Sequence, residues 1–360
     1  MKHIKLLFVF SFIFLQQICF SQEKLKVVIA GLSHDHVNRM LDKNKNGEII
    51  IVAIAEPGEQ LRNNKKTAYQ LPDSLFYKNI AGALKKTTPD LVMVFNAPVE
   101  HLAIIETCMP LHIPVMVEKP LCFSYAEAAK IKMLSQKYKT NVFTNYPSLW
   151  YTSFIELLNK KNEVGTITKM EMHGGHRGPA EIGCSKDFLK WLTDPAKNGG
   201  GALTDFGCYG ACIMTALMDG KAPTSVYATA KNLKPAVYPN VDDDATIVLE
   251  YPNATGIIEA SWNWPYTIMD AEVYGNNAYQ HASQINGADT VYMQSKNESG
   301  TKQEKISVQQ YKDEVEYLTA VIKNGAADDN PLLSLERNVI IVQIIDAARR
   351  SVKTGRKILL

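Results

Sequence analysis

The chain has 360 residues, 46 % of them hydrophobic, and a nearly balanced charge: 39 Lys and Arg against 37 Asp and Glu, net +2. That length supports one large domain or two modest ones with substantial apolar cores. Near neutrality without a basic stripe argues against a nucleic-acid partner, and the pairs Lys65-Lys66 and Lys85-Lys86 read as solvated helix faces.

The chain opens on the basic segment Met1-Lys2-His3-Ile4-Lys5, followed by an almost wholly apolar run from Leu6 to Leu15. Cys19-Phe20-Ser21 then offers small residues at the two positions a signal peptidase reads, with Gln22 as the mature start. Residues 1–21 therefore read as a cleaved Sec-type signal peptide, and the protein as exported, periplasmic or secreted. The apolar run is short for a membrane span, and no later segment is long and apolar enough, so none is expected after cleavage. There is no twin arginine, which points to export in the unfolded state. Loss of Cys19 leaves Cys108, Cys122, Cys184, Cys208 and Cys212, whose irregular spacing gives neither a disulfide framework nor a zinc-type CxxC pair. They read as buried free thiols.

From Lys24 onward apolar strands alternate with helices. Strands are predicted over Leu25–Ala30, Ile49–Ala55, Leu91–Phe95, Val115–Val117 and Asn141–Thr144. Helices are predicted over His36–Lys43, Glu59–Tyr69, around Leu84, over Glu100–Met109, and from a Ser124 cap to Tyr138. Fully apolar strands between helices mean a parallel, doubly wound sheet covered on both faces. The texture changes after Tyr146. A helix around Ser153–Lys160 leads to strands at Thr166–His173, Ser225–Leu233, Ala245–Tyr251, Thr255–Trp262 and Ala271–Gly275, with a helix starting near Thr204. Their mixed or alternating patterns predict an open, largely antiparallel sheet with one solvated or interface face. The stretch His281–Lys305 reads as a polar loop, and helices follow at Gln310–Lys323 and Leu335–Thr354. The fold class is thus α/β: an N-terminal Rossmann domain over residues 22–146, an α/β substrate or oligomerisation domain over 147–335, and a C-terminal helix and short strand over 336–360.

The turn Gly31-Leu32-Ser33-His34-Asp35-His36 joins the first strand to the first helix. A glycine turn before a helix N-terminus can hold a pyrophosphate. This one keeps the first glycine of GxGxxG and has Ser33 and His36 at the other two positions. Glu56 ends the second strand, where a carboxylate can accept from a ribose diol and repels a 2′-phosphate, which favours NAD over NADP. His34, Asp35 and His36 could instead be read as a metal cluster. Spacing this tight in a helix-entry loop seldom lets both imidazoles reach one ion, so no metal is expected.

Glu118-Lys119-Pro120 at the end of a strand, in the second half of a Rossmann-like region, resembles the Gfo/Idh/MocA family. Asn96-Ala97-Pro98 with His101 resembles that family's loop after the fourth strand. Gly199-Gly200-Gly201-Ala202-Leu203-Thr204-Asp205-Phe206-Gly207-Cys208-Tyr209 resembles its GGG-x-x-x-D-x-G-x-H/Y signature. Asp242-Asp243 before a strand, Ala260-Ser261-Trp262 closing another, and the terminal helix also fit. The resemblance covers essentially the whole mature chain.

The resemblance implies an NAD(P)-dependent oxidoreductase acting on a sugar or sugar-derived alcohol. Lys119, Asp205 and Tyr209 are the implied catalytic residues, and tyrosine replaces the histidine of many members. The alcohol's proton must be taken within hydrogen-bond reach, and the Lys119 ammonium could lower the phenol's pKa. Asp205 lies one turn before Tyr209, so both face one cleft if that helix is regular. Gly31, Ser33, His34, His36, Glu56, Asn96, His101, Glu118 and Lys119 are the implied cofactor contacts. His176, Arg177 and Trp191 are candidates for a carbohydrate substrate. Trp262 and Trp264 are placed on the sheet face through which members pair, so a homo-oligomer through the C-terminal sheet is expected. Export leaves no dependable pool of free NAD, so a retained cofactor is expected. Two other readings stay open: a redox-neutral NAD-dependent glycoside hydrolase, and a non-catalytic saccharide-binding protein.

Overall fold

The structure is a computed structural model describing residues 23–285 and 288–360; the signal-peptide reading lies outside these residues. The first domain comprises β1 (Lys26–Ala30), α1 (Val37–Lys45), β2 (Ile50–Ala55), α2 (Glu59–Tyr69), β3 (Phe76–Tyr77), α3 (Ile80–Leu84), β4 (Leu91–Val94), α4 (Pro98–Cys108), β5 (Val115–Glu118), α5 (Tyr125–Tyr138) and β6 (Val142–Asn145). The strands form a six-stranded parallel sheet in the order β3-β2-β1-β4-β5-β6. β4 and β5 are buried at every position, as strands covered by helices on both faces must be. Ser124 caps α5 as the sequence predicts: the Glu127 N–H donates to its Oγ at 3.4 Å, and Glu127 Oε2 accepts the Ser124 N–H at 3.0 Å.

The second domain contains α6 (Thr152–Asn159), β7 (Ile167–Gly175), α7 (Lys186–Leu192), α8 (Pro195–Asn198), α9 (Ala202–Asp205), α10 (Gly207–Leu217), β8 (Ser225–Lys231), β9 (Asp244–Glu250) and β10 (Thr255–Ser261). It continues with β11 (Ile268–Gly275), β12 (Ala278–Ile285), β13 (Ala288–Ser295), β14 (Lys302–Gln303), α11 (Glu314–Asn324), α12 (Leu335–Thr354) and β15 (Ile358–Leu359). Its nine-stranded sheet runs β14-β13-β12-β11-β7-β10-β9-β8-β15. Every pairing is antiparallel except β7 with β10. Met170, Met172, Ile258, Ala260, Ile247 and Leu249 form its buried face, against which α10 packs. The other face alternates half-exposed residues such as Glu171, His173, Glu259 and Glu272. α12 packs on β8, α10 and α5 and thereby ties the two sheets together. Among the described residues no helix is long and apolar enough to cross a membrane.

Two stretches depart from expectation. Residues 281–305, expected as a loop, supply most of β12 and β13 and the edge strand β14. In β12 the face of Ala278, Gln280 and Ala282 is buried, but Gln280 is polar and Ser283 is buried on the opposite face, which masks the two-residue period. The short helix α7 was also not foreseen. It starts at Ser185, whose Oγ accepts the Phe188 N–H at 3.2 Å.

Candidate active site

The strand order reverses between β1 and β4, and a parallel sheet opens a crevice beyond its carboxyl ends at such a point. The turn after β1 forms the floor. Gly31 has φ +83°, and a Cβ there would stand 2.8 Å from Asn96 Cβ and 3.0 Å from the Phe95 carbonyl oxygen. Only glycine meets both demands. Glu56 accepts the Leu32 N–H on Oε2 at 2.9 Å and the Gly58 N–H on Oε1 at 2.7 Å. Each oxygen keeps accepting capacity for a diol. Burial raises the Glu56 pKa, against these two N–H donors.

A cavity of about 620 Å³ opens here, lined by Gly31, Ser33, Glu56, Asn96, Glu100 and Trp191 among others. That lies in the range of small-molecule and cofactor sites, about 300–1,000 Å³. Lys190 and Lys197 stand in the wall contributed by α7 and α8. A glycine turn, a carboxylate at the end of β2 and two lysines suit the phosphates and ribose of a dinucleotide. Sequence reasoning missed Glu100, Lys190 and Lys197, whose positions depend on helices folding over the sheet.

His34, His36, His101 and Glu118, expected against the cofactor, do not line this cavity. His101 is fully buried, with Nδ1 3.1 Å from the Leu121 carbonyl oxygen and Nε2 3.3 Å from that of Asn96. It pins together the loops that follow β4 and β5. Glu118 is buried; its Oε1 accepts Asn145 Nδ2–H at 3.1 Å and its Oε2 lies 3.0 Å from His36 Nδ1. His34 is buried beneath Phe188 and Trp191, at ring-centroid distances of 4.5 and 5.5 Å. Its Nδ1 accepts the His36 backbone N–H at 3.2 Å. Its Nε2 has no hydrogen-bond partner among the described residues and lies 4.0 Å from Glu118 Oε2. The objection to a shared ion thus fails on geometry, since both imidazoles turn toward one carboxylate.

The second constellation joins the two domains. Lys119, at the end of β5, ion-pairs with the Asp205 carboxylate and donates to the Asp205 carbonyl oxygen at 3.2 Å. Its Nζ lies 5.0 Å from the centroid of the Tyr209 ring. Trp262 Nε1–H donates to Asp205 Oδ2 at 2.9 Å. The helix expected to carry Asp205 and Tyr209 is not regular: α9 ends at Asp205 and α10 begins at Gly207. The break frees the Asp205 carbonyl to accept from Lys119 and from Cys208 Sγ–H at 3.3 Å.

Burial alone would pull the Lys119 pKa down, but the Asp205 charge outweighs it and holds the ammonium well above its ordinary value. Burial would raise Asp205, and Lys119 overcomes this and holds it below the carboxylate range. The expectation of a lowered phenol pKa is corrected. Burial pushes Tyr209 well up and Lys119 only moderates the rise, so at neutral pH the phenol keeps its proton.

His176 and Arg177 share a separate pocket of about 420 Å³ with Ile182, Pro265, Tyr266, Thr267 and Gln284. His176 also meets the edge of Phe206 at 5.0 Å, which places this pocket next to the turn carrying Asp205. Burial lowers the His176 pKa. Trp191, expected with these two, instead walls the nucleotide-side cavity. Trp262, expected on the interface face, is fully buried and holds Asp205. Ala260-Ser261-Trp262 marked this residue in the sequence, but not its role.

A parallel dinucleotide-type domain, a second domain built on a large open sheet, and a lysine of the first paired with an aspartate of the second define a two-domain oxidoreductase. Residues 25–146 match the oxidoreductase family with NAD-binding Rossmann fold, and residues 156–279 match the GFO/IDH/MocA C-terminal domain. The chain belongs to the Gfo/Idh/MocA family of NAD(P)-binding oxidoreductases. It is 24 % identical over 223 residues to trans-1,2-dihydrobenzene-1,2-diol dehydrogenase of Xenopus laevis, covering 61 % of this chain and 62 % of that protein. The match thus spans under two thirds of that relative's length. Among solved structures, it resembles an aldose-aldose oxidoreductase from Caulobacter crescentus complexed with glycerol, with TM-score 0.77 and 18 % identity over 94 % of this chain and 100 % of the other. It also resembles an inositol dehydrogenase homolog complexed with NAD+ from Azotobacter vinelandii, with TM-score 0.77 and 14 % identity over 94 % of this chain and 98 % of the other.

Proposed function

We propose that this protein is an exported sugar oxidoreductase that keeps its NAD bound and passes a hydride between it and a sugar or cyclic polyol. The observation that carries this reading is the convergence of Lys119, from the dinucleotide domain, with Asp205 and Tyr209, from the second domain. When bound, the nicotinamide supplies the hydride acceptor and donor. Gly31, Ser33, Glu56 and Asn96 hold the nucleotide, and Glu56 with Glu100 disfavours a 2′-phosphate in the same cavity, which supports NAD over NADP.

Tyr209, protonated at neutral pH, and the Lys119 ammonium are two proton donors beside one substrate oxygen. In the reducing direction they stabilise charge developing on that oxygen, and Tyr209 delivers the proton. In the oxidising direction the tyrosinate left by that delivery takes the proton back from the alcohol, with the Lys119 ammonium beside it. Asp205 holds Lys119 in place and keeps it charged. His176 and Arg177, in the pocket beside this turn, contact the sugar. The names of the relatives support the substrate class, since they comprise an aldose oxidoreductase, an inositol dehydrogenase homolog and an enzyme of a cyclic 1,2-diol. The basic-apolar leader over residues 1–21 supports export, and export supports cofactor retention. The open face of the nine-stranded sheet is the surface through which we expect two copies to pair.

The test is mass spectrometry of small molecules released by denaturing the purified protein, followed by a second measurement on the native protein. NAD or NADH should be released in stoichiometric amount. Aldoses or inositols should then change the near-ultraviolet absorbance of the bound nicotinamide. A protein that neither carries nor takes up nucleotide ends this reading.

A further inference from the structure

We propose that His34, His36 and Glu118 form a binding site for one borderline divalent cation, zinc above all, between the turn after β1 and the end of β5. None of the three lines the nucleotide-side cavity, and none bonds to the Asp205 carboxylate. The proposed function therefore leaves them without a task.

The geometry is close to that of a bound ion. One ligand atom from each side chain lies within 4.8 Å of the others. Glu118 Oε2 is 3.0 Å from His36 Nδ1 and 4.0 Å from His34 Nε2. With metal–ligand bonds of about 2.0–2.2 Å, tetrahedral ligand atoms stand roughly 3.4 Å apart. Each ring then needs to move by no more than about 1 Å to enclose an ion.

A second observation points independently to a ligand. His34 is 1 % exposed, and its Nε2 has no hydrogen-bond partner among the described residues. A buried polar atom left unpaired is costly and rare, and this one faces the carboxylate of Glu118. Glu118 is itself only 1 % exposed, so a cation would neutralise a charge held away from water. Asn145 Nδ2–H on Glu118 Oε1 fixes the carboxylate and leaves Oε2 for the ion, as outer hydrogen bonds do for ligands in built metal sites. The His36 side chain is 38 % exposed and gives the ion a way in.

The donor set selects the ion. Two imidazoles and one carboxylate suit zinc, or manganese and iron in open-sided sites. Calcium and magnesium prefer all-oxygen shells. Ligation through Nε2 places the His34 ring proton on Nδ1, where the His36 N–H now donates. The Ser33–His36 turn must therefore re-aim that N–H, which weakens affinity and ties metal binding to the shape of the glycine turn. The fourth position is left for water or an oxygen of a bound ligand.

The test uses the purified chain stripped with a chelator and titrated calorimetrically with Zn²⁺, then with Co²⁺ as a spectroscopic probe. One equivalent of each should bind, and Co²⁺ should give the visible d–d bands of a low-coordinate site. His36→Ala, at a half-exposed position, should abolish both signals while the thermal unfolding transition persists. Asn145→Ala should weaken Zn²⁺ binding about tenfold or more. The absence of stoichiometric binding by the wild-type chain, or undiminished Zn²⁺ affinity in His36→Ala, overturns the site. Nucleotide content measured on the same preparation keeps the two readings apart. A chain with NAD and no metal site refutes only this proposal, and one with metal and no nucleotide refutes only the functional reading.

Discussion

Trp262 and Asp205 meet where the closing end of β10 faces the break between α9 and α10, with the indole N–H 2.9 Å from the carboxylate Oδ2. The aspartate that neutralises Lys119 is thus anchored from the opposite side by a fully buried residue. A hydrogen bond to a charged group is worth about 1.5–3 kcal/mol. Trp262→Phe should therefore destabilise the fold by about that amount, with a further contribution from the lost ring area. It should also lower kcat, because Asp205 gains freedom to rotate away from Lys119. Denaturant unfolding and steady-state rates on the same variant check both effects. A Trp262→Phe enzyme with unchanged kcat would mean that the indole only packs.

Removing one member of the Lys119–Asp205 pair leaves the other charge buried, which costs about 3–5 kcal/mol. Asp205→Asn should therefore destabilise strongly and reduce activity. The double variant Lys119→Met, Asp205→Leu replaces the pair by apolar side chains and should regain much of that stability, yet stay inactive. Stability returning without activity separates the pair's chemical role from its structural one. Activity in the double variant would contradict the assignment of Lys119 and Asp205.

How much of this was legible in the sequence differs by element. The parallel sheet was readable because β1, β4 and β5 are apolar at almost every position, and Ser124 as a cap marked the start of α5 directly. The β12–β13 region was not readable, because Gln280 puts a polar side chain on the buried face and Ser283 is buried on the other, which blurs the alternation. In the site, Lys119, Asp205 and Tyr209 could be picked out because their motifs are local. The role of Trp262 could not, since it depends on β10 folding back toward α9. The resemblance of Asn96-Ala97-Pro98 with His101 to the family's loop implies a cofactor contact for His101, but α4 turns its ring inward onto two carbonyls. The rise of the Tyr209 pKa was hidden for the same kind of reason: the nearby lysine is visible in sequence, and the burial that outweighs it is not.

The nucleotide-side cavity predicts an optical signal. Trp191 lines it, and the indole Nε1 has no hydrogen-bond partner among the described residues. Nucleotide entering the cavity must touch this ring. NAD added to stripped protein should quench tryptophan fluorescence, and Trp191→Phe should remove most of the quench while binding measured by calorimetry persists. Equal quenching in wild type and Trp191→Phe would place the nucleotide elsewhere.

Acid stability should carry the mark of His101. Burial lowers its pKa from the ordinary value, outweighing the two carbonyls that favour the charged ring. The unfolded chain then takes up a proton near pH 6.5 while the folded protein does not. The folded state therefore gains from neutral His101 above about pH 6.5 and loses that gain as pH falls toward the depressed folded value. The melting temperature of the wild type should drop between neutral and mildly acidic pH. His101→Gln, which keeps an amide donor for one of the two carbonyls, should be less stable at neutral pH and show a shallower drop. Parallel curves for the two proteins across that range would mean that His101 titrates alike in the folded and unfolded states, and that the acid sensitivity arises at other groups.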